Sequence, residues 1–409
     1  MLLHLAMTRL IRRGTLSVEY PDGTRREYRG TPGSAAGMRI RTRRAERRLV
    51  LNPGLALGEG YMEGEVEPLG CSLHDLLDFL MLNIAAGGGH PVEEARQWLR
   101  RATRWLAQIN PAPRSKRNVA HHYDLNGRLY ALFLDRDRQY SCAYFPTGRE
   151  TLEDAQEAKK RHIAAKLWLD RPGLEVLDIG CGWGGMALTL ARDWGARVTG
   201  ITLSEEQLAV ARQRAEEAGL ADRVRFELLD YRAWDRQVDR IVSVGMFEHV
   251  GLAQYGGLFR MVRDSLAEDG VALLHTIGRI DGPGATNPWI AKYIFPGAYC
   301  PALSEMMPAI ERSGLFATDV EILRLHYALT IQEWRRRFAA NRDAIEALYD
   351  ERFCRMFEFY LASVELIFRH WGHVVFQVQM TRRLETLPIT RDWMAEAESR
   401  AARGAPMAA

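Results

Sequence analysis

Several features that would settle the class of this chain at once are scarce or missing. Only five cysteines occur in 409 residues, Cys71, Cys142, Cys181, Cys300 and Cys354. They form no CxxC pair and no even framework, so neither structural disulfides nor a metal site is expected. No uninterrupted apolar run reaches the ~18–20 residues that a spanning helix requires. The opening MLLHLAMTRLIRRG carries its charges after a short apolar stretch, not before it, and offers no small-residue cleavage site, so it does not read as a secretory leader. A cytoplasmic location is expected. Net charge is also slight, at +3, and gives no reason to expect a nucleic-acid partner.

What is present is the balance of a globular protein, with 47% hydrophobic and 26% charged residues and a length that suits two domains. Cations do cluster locally, as Arg39, Arg41, Arg43, Arg44, Arg47 and Arg48 and again as Arg335 to Arg337. Such clusters are either a solvated face or an attraction to an anionic bilayer surface.

The first ~85 residues read as short strands and turns, and GTLSVEYPDGTRREYRG alternates around a PDG turn as a hairpin does. AAGGGH at 85–90 interrupts this pattern, a helix is predicted from Val92 to about Ile109, and PAPRSKR at 111–117 reads as a linker. The expected division is a small α+β domain over 1–110 and a larger one over 118–409. From Leu174 onward, LEVLDIG, ARVTGIT, VRFELLD, DRIVSVG and GVALLHTIG are short apolar strands separated by amphipathic helices, one of them opened by Ser204 as N-cap. This is the pattern of a doubly wound α/β domain, whose ligands sit beyond the carboxyl ends of the strands. After Ile331 the chain turns helical, and Phe353, Met356, Phe357, Tyr360, Leu361, Val364 and Phe368 form a wide apolar stripe. The stripe is core, or in part the lining of an acyl-chain tunnel.

VLDIGCGWGG leaves the first of these strands. Its glycines allow close backbone approach and positive φ. Gly180, Gly182 and Gly185 satisfy GxGxxG, which by itself is a weak sign of a nicotinamide dinucleotide. Two details favour S-adenosylmethionine instead. Asp178 ends the strand ahead of the first glycine, where its charge can organise the loop around a cationic sulfonium. The second strand ends in Thr202 with Gln207 nearby, whereas a dinucleotide site wants an acid there. Asn287, Pro288 and Trp289 match part of the motif that grips a flipped base, but the second proline is missing and the tripeptide follows the fifth strand, so nucleic-acid methylation is set aside.

Four further segments carry chemistry: HHYDLNGRLYALFLDRDRQYSCAYF at 121–145, VGMFEHVG at 244–251, LLHTIG at 273–278 and NPWIAKYIFPGA at 287–298. Together with the glycine loop and FQVQ near the end they closely resemble the cyclopropane fatty acid synthase family, which includes the mycolic acid cyclopropane synthases, over about residues 118–380. The resemblance implies a Rossmann-like class I methyltransferase domain with a helical lipid-binding insertion. It also implies transfer of a methylene from S-adenosylmethionine to the cis double bond of an unsaturated phospholipid acyl chain, through a carbocation deprotonated by bound bicarbonate. A relative of this chemistry, in which the same cation ends as a methyl branch or a methylated alkene, stands as the alternative.

Carried over by motif, the anion is expected at Cys142, Glu248, His275, the Ile277 backbone and Tyr327. The cofactor is expected at Tyr140, Ser141, Asp178, Gly180, Gly182, Thr202, Leu203, Gln207, Asp230 and Tyr231. Phe247, Tyr144, Phe145, Trp183 and Tyr360 are candidates to face a cation. The family's HYDLGND reads HYDLNGR here, with Asn126 and Gly127 exchanged and Arg128 in place of an acid. LNPGLALGEGYMEG at 51–64 resembles the accessory domain of the full-length bacterial synthases. It points to phospholipid acyl chains as substrate, to peripheral association with the inner face of the membrane, and to lipid, bilayer or homodimer contacts for the N-terminal domain.

Overall fold

The computed structural model describes residues 2–104, 108 and 127–403. The predicted linker at 111–117 and the HHYDLN stretch at 121–126 lie outside these. Two compact units are present, and neither is a single run of chain. The first takes in Met1–Ala107, Gly284–Pro296 and Ala328–Gly372; the second takes in Gln108–Pro283, Gly297–Tyr327 and His373–Ala409.

In the first unit the hairpin forms as its sequence dictates, with β1 (Arg13–Glu19) antiparallel to β2 (Arg25–Arg29). β3 (Thr31–Ile40) runs parallel to β1, and β4 (Val66–Pro68) closes a four-stranded sheet in the order β2-β1-β3-β4. Leu16, Val18, Met38 and Ile40 alternate inward and meet Leu76, Phe79 and Leu80 of the helix Leu73–Ala85 in one core. The two later segments add to this unit. Trp289 is buried with its indole N–H on the Met62 sulfur at 3.3 Å and its ring 4.8 Å from Phe359 of the helix Glu351–His370. Asn287, weighed as part of a base-gripping motif, is the N-cap of the helix Pro288–Tyr293, its Oδ1 accepting from the Trp289 and Ile290 amides. Thus 284–296 and 328–372, which the sequence assigns with the catalytic domain, pack as part of the N-terminal unit because their apolar faces find partners there.

The second unit is built on a seven-stranded sheet: β5 (Glu175–Ile179), β6 (Arg197–Thr202), β7 (Val224–Leu228), β8 (Val238–Val244), β9 (Leu266–Arg279), β10 (Phe316–Leu323) and β11 (His373–Thr381), in the order β10-β11-β9-β8-β5-β6-β7. β5 to β9 pair in parallel, and β11 enters antiparallel to both β9 and β10. Period-two alternation sends Val176 to one face and Leu177 and Ile179 to the other, so a separate apolar core forms on each face. Helices Gly185–Trp194 and Glu205–Glu217 cover one face, and Tyr255–Ser265 and Leu303–Ser313 cover the other. The doubly wound expectation is met, as is the Ser204 cap, whose hydroxyl accepts from the Gln207 amide.

Candidate functional site

A cleft opens beyond the carboxyl ends of β5, β6, β7 and β8, where a doubly wound sheet holds its ligands. All ten residues expected to bind the cofactor line it: Tyr140, Ser141, Asp178, Gly180, Gly182, Thr202, Leu203, Gln207, Asp230 and Tyr231. The glycine loop has the backbone that its composition demands. Gly180, Gly182 and Gly184 all have positive φ, at 80°, 53° and 84°, and the Gly180 and Cys181 amides donate back to the Ile201 carbonyl. Thr202 donates its hydroxyl to Gln207 Oε1 at 3.1 Å. Asp230 is held by a two-pronged contact from Arg232 at 2.8 and 2.9 Å.

Asp178 is buried in the wall of the cleft, and its Oδ2 has no hydrogen-bond partner among the described residues. Burial pushes its carboxyl up to about 7, partly offset by the Lys159 charge. A buried acid left this way is a ready counter-charge for a cationic ligand, and the neutral Thr202–Gln207 pair beside it suits ribose hydroxyls. The residues present therefore fit S-adenosylmethionine.

Sequence reasoning did not single out the lysines behind this wall. The helix Leu152–Lys166 carries Lys159 and Lys166 inward, together with Ala155 and His162 at the i, i+4, i+7, i+11 positions, and all four are buried. Lys159 donates to Ser141 Oγ at 2.8 Å and to the Gln139 side chain, and burial lowers it to about 8 despite the Asp135 charge nearby. In a helix this rich in charge the lysines read as a solvated face; the signal that could have found them is their shared spacing with Ala155.

The residues expected around the anion lie beside the cleft, not on its lining. Glu248 stands in a short 3₁₀ turn after β8, 5% exposed, and the Ile277 backbone N–H donates to its Oε1 at 2.6 Å. That amide is thereby directed to Glu248, so the Ile277 N–H orients the carboxylate instead of presenting itself to a ligand. Glu248 Oε2 has no hydrogen-bond partner among the described residues, and burial raises the carboxyl to about 7 against the pull of the Ile277 N–H.

His275 lies on β9, two residues before Ile277 and 2% exposed. Its protonation state follows from its neighbours. Lys166 has only protons to give and donates to Gln377 Oε1 at 2.8 Å, which turns the Gln377 amide N–H toward His275 Nδ1 at 3.1 Å. Nδ1 must then accept, and the proton sits on Nε2, a buried atom with no hydrogen-bond partner among the described residues. Burial, reinforced by the Lys159 and Lys166 charges, drives the imidazole well below its usual range, so it is neutral. An orphaned buried donor on His275 and an orphaned buried acceptor on Glu248 together match the polarity of bicarbonate, which has an oxyanion to receive the first and a hydroxyl to give the second.

Cys142 is buried next to Ser141, with its thiol on the Ala143 carbonyl at 3.3 Å. Tyr327 is buried in the first turn of the helix His326–Ala340. The start of that helix is tied to the chain after Cys142: the Phe145 amide donates to His326 Nδ1 at 2.9 Å, and Tyr144 stacks on His326 and on His162 at 4.9 and 4.1 Å.

The aromatic candidates separate. Trp183 lines the cleft, with the Arg138 guanidinium 5.6 Å from its ring. Tyr144 is stacked as described. Phe247, another candidate, is a core residue stacked on Tyr255 at 4.2 Å and is not part of the cleft lining. Tyr360 belongs to the first unit. His249, not expected from sequence, lines the cleft and is held by burial at about 4, so it is neutral there.

Comparison with known proteins agrees with this geometry. Residues 111–378 match the family model described as mycolic acid cyclopropane synthetase, and residues 5–85 match a domain of unknown function. A probable fatty acid methyltransferase of Pseudomonas putida is 42% identical over 258 residues, 61% of this chain and 65% of that protein. The cyclopropane-fatty-acyl-phospholipid synthase of Escherichia coli K12 is 38% identical over 354 residues, 86% of this chain and 90% of that one. Among solved structures, the mycolic acid cyclopropane synthase CmaA1 complexed with SAH and CTAB aligns with a TM-score of 0.62 and 33% identity, covering 66% of this chain and 99% of that one. The chain thus belongs to the mycolic acid cyclopropane synthetase family and is an S-adenosylmethionine-dependent methyltransferase.

Proposed function

We propose that this enzyme is a cyclopropane-fatty-acyl-phospholipid synthase, acting on the cis double bond of unsaturated phospholipid acyl chains. The observation that carries the reading is two buried polar atoms without a hydrogen-bond partner among the described residues, Glu248 Oε2 and His275 Nε2, on segments that border a cleft suited to a sulfonium cofactor. The match to the Escherichia coli synthase over most of both chains supports the phospholipid substrate.

In this reading S-adenosylmethionine, held by the ten cleft residues, supplies an electrophilic methyl group to the alkene. Bicarbonate, held between Glu248 and His275 with Cys142 and Tyr327 around it, supplies a base for the methyl proton. The chain's own work is to fix that base and to deny it water. Ile277 sets the Glu248 carboxylate, and Gln377 and Lys166 set the His275 proton. Residues 118–409 hold every one of these groups, and residues 1–110 act as an accessory to them. The substrate would be met at the inner face of an anionic membrane.

A second reading, transfer that leaves a methyl branch or a methylated alkene, is favoured by the likeness to the Pseudomonas putida protein. Expression in a host lacking cyclopropane lipids, followed by mass spectrometry and proton NMR of its phospholipids, separates the two. Ring closure adds one CH2 and removes the olefinic signal. A vinyl or branched methyl signal would overturn it in favour of the second reading. Glu248→Gln, which keeps an acceptor for the Ile277 amide but cannot take a proton, is expected to lower turnover on the order of a hundredfold with S-adenosylhomocysteine binding intact; unchanged turnover would remove Glu248 from its assigned role.

A further inference from the structure

A surface helix ordinarily lays its apolar stripe on the core and turns its charges outward. The helix Pro91–Ala102 does the reverse. None of its residues is buried. On a helical wheel Val92, Ala95, Trp98, Leu99 and Ala102 share one arc, and all five are exposed, Trp98 by 70%, Leu99 by 56% and Val92 by 37%. Glu93 lies on the opposite side. That polar side is the attached one: Glu93 accepts from the Gly54 amide at 3.3 Å and from Arg100, and Glu94 is 3.8 Å from Arg9. The helix is therefore fastened by its carboxylates with its apolar face turned out.

The charge of the segment is net positive, with exposed Arg96 and Arg101 flanking the apolar arc and exposed Glu94 set toward Arg9. Four arginines (Arg96, Arg100, Arg101, Arg104) against two glutamates (Glu93, Glu94) give 91–104 a net charge of +2. The helix Arg43–Leu51, which touches it, adds exposed Arg44, Arg47 and Leu51. Among the arginines first noted in the sequence, Arg39, Arg41, Arg43 and Arg48 are spent on Glu19, Glu67, Asp22 with Glu46, and Glu59 respectively. A partner must accept an indole and a leucine while welcoming arginine. An anionic bilayer surface does both, with the aromatic ring at headgroup level and the cations among the phosphates.

We propose that the outward face of the helix Pro91–Ala102 is a membrane-docking surface that seats this enzyme on anionic lipid. The inference rests on the lipid-substrate reading only for its purpose, since the surface itself is defined by exposure and charge.

The test uses the full chain and vesicles of phosphatidylethanolamine and phosphatidylglycerol in equal parts, with phosphatidylcholine vesicles as the neutral control. The native chain is expected to co-sediment with the anionic vesicles and to be released by salt. Trp98→Ser/Leu99→Ser is expected to weaken that binding by on the order of tenfold or more. Its melting temperature, S-adenosylhomocysteine binding and turnover of detergent-dispersed phospholipid should match the native chain. Arg96→Gln/Arg101→Gln should weaken anionic binding alone. Undiminished vesicle binding by the Trp98/Leu99 variant would overturn the proposal. So would light scattering that shows a native dimer and a monomeric variant, because a second copy would then cover this face. Failure of the native chain to modify any dispersed lipid would count against the functional reading, while the sedimentation result would still decide the docking surface.

Discussion

His275 and Asp178 show how one buried side chain takes its state from its neighbours. The imidazole is a donor at Nε2 because Lys166 leaves Gln377 only one way to point. Gln377 is thus a positioning residue, and two substitutions separate its effects. Gln377→Met removes both hydrogen bonds, and turnover is expected to drop on the order of tenfold or more. Gln377→Glu keeps an acceptor for Lys166 but makes His275 Nδ1 the donor, stripping the proton from Nε2; turnover should fall as far, with cofactor binding unchanged in both. Native turnover in the Glu variant would sink the tautomer assignment. For Asp178 the sign is set by burial. Its carboxyl, raised to about 7, is protonated below that pH in the free protein, whereas a sulfonium favours the carboxylate. Binding of S-adenosylmethionine must then expel a proton at lower pH. Affinity should be flat above about 7 and decline as pH falls below it, with a weaker trend for uncharged-sulfur S-adenosylhomocysteine. Calorimetry in two buffers of different ionisation heat would detect the released proton.

At the scale of the element, the glycine loop ties chemistry to backbone. A Cβ at Gly180 would stand 2.8 Å from Met246 Cβ, in a left-handed conformation. Gly180→Ala is expected to cost about 1–3 kcal/mol of stability and to weaken cofactor binding together with it, measured by thermal melts with and without S-adenosylhomocysteine. This loop was legible from residues alone, because strand, acid and glycines fall in one continuous run. So were the five parallel strands, whose apolar runs are bounded by turns. The cleft residues Thr202 and Gln207 were legible because strand ends are local features, whereas Asp230 and Tyr231 came only from the family resemblance. What escaped the sequence was non-local. The Gln377–His275 contact exists because β9 and β11 place these residues opposite one another, 102 positions apart. Lys159 and Lys166 were hidden by a helix whose charge resembles an outer face. Phe247 looked available to a cation, yet Tyr255 and Phe259 claim its ring.

The whole molecule divides by packing and not by chain order. The first unit includes the helix Glu351–His370, which lies against Pro53–Met62 and Leu73–Ala85, and Trp289, which sits so close to Gly58 that a Cβ there would meet its indole at 2.5 Å. Glu365 is buried among His74, Arg335 and Arg369 and is held at about 2: burial would raise it, and the bonds from those partners outweigh that. Removal of residues 1–107 would therefore uncover Trp289 and the apolar side of 351–370 and take one partner from Glu365. A chain beginning at Gln108 is expected to aggregate or to melt at least several degrees below the full chain, by differential scanning fluorimetry. Equal melting would show that the later segments stand without the N-terminal sheet. No described helix is long and apolar enough to cross a membrane.

The position of β11 has a consequence for how the enzyme is made. It is the last of the described strands in chain order, yet it lies between β9 and β10, bonded to both. Until residue 381 has left the ribosome, β9 is an open edge with its His275 and Ile277 backbone unpaired on that side, and β10 lacks the one sheet partner it has among the described residues. The helix at 351–370, which completes the first unit, also arrives late. Neither unit can close before residues 351–381 have emerged, so a growing chain exposes unpaired strand edges until that stretch has been made.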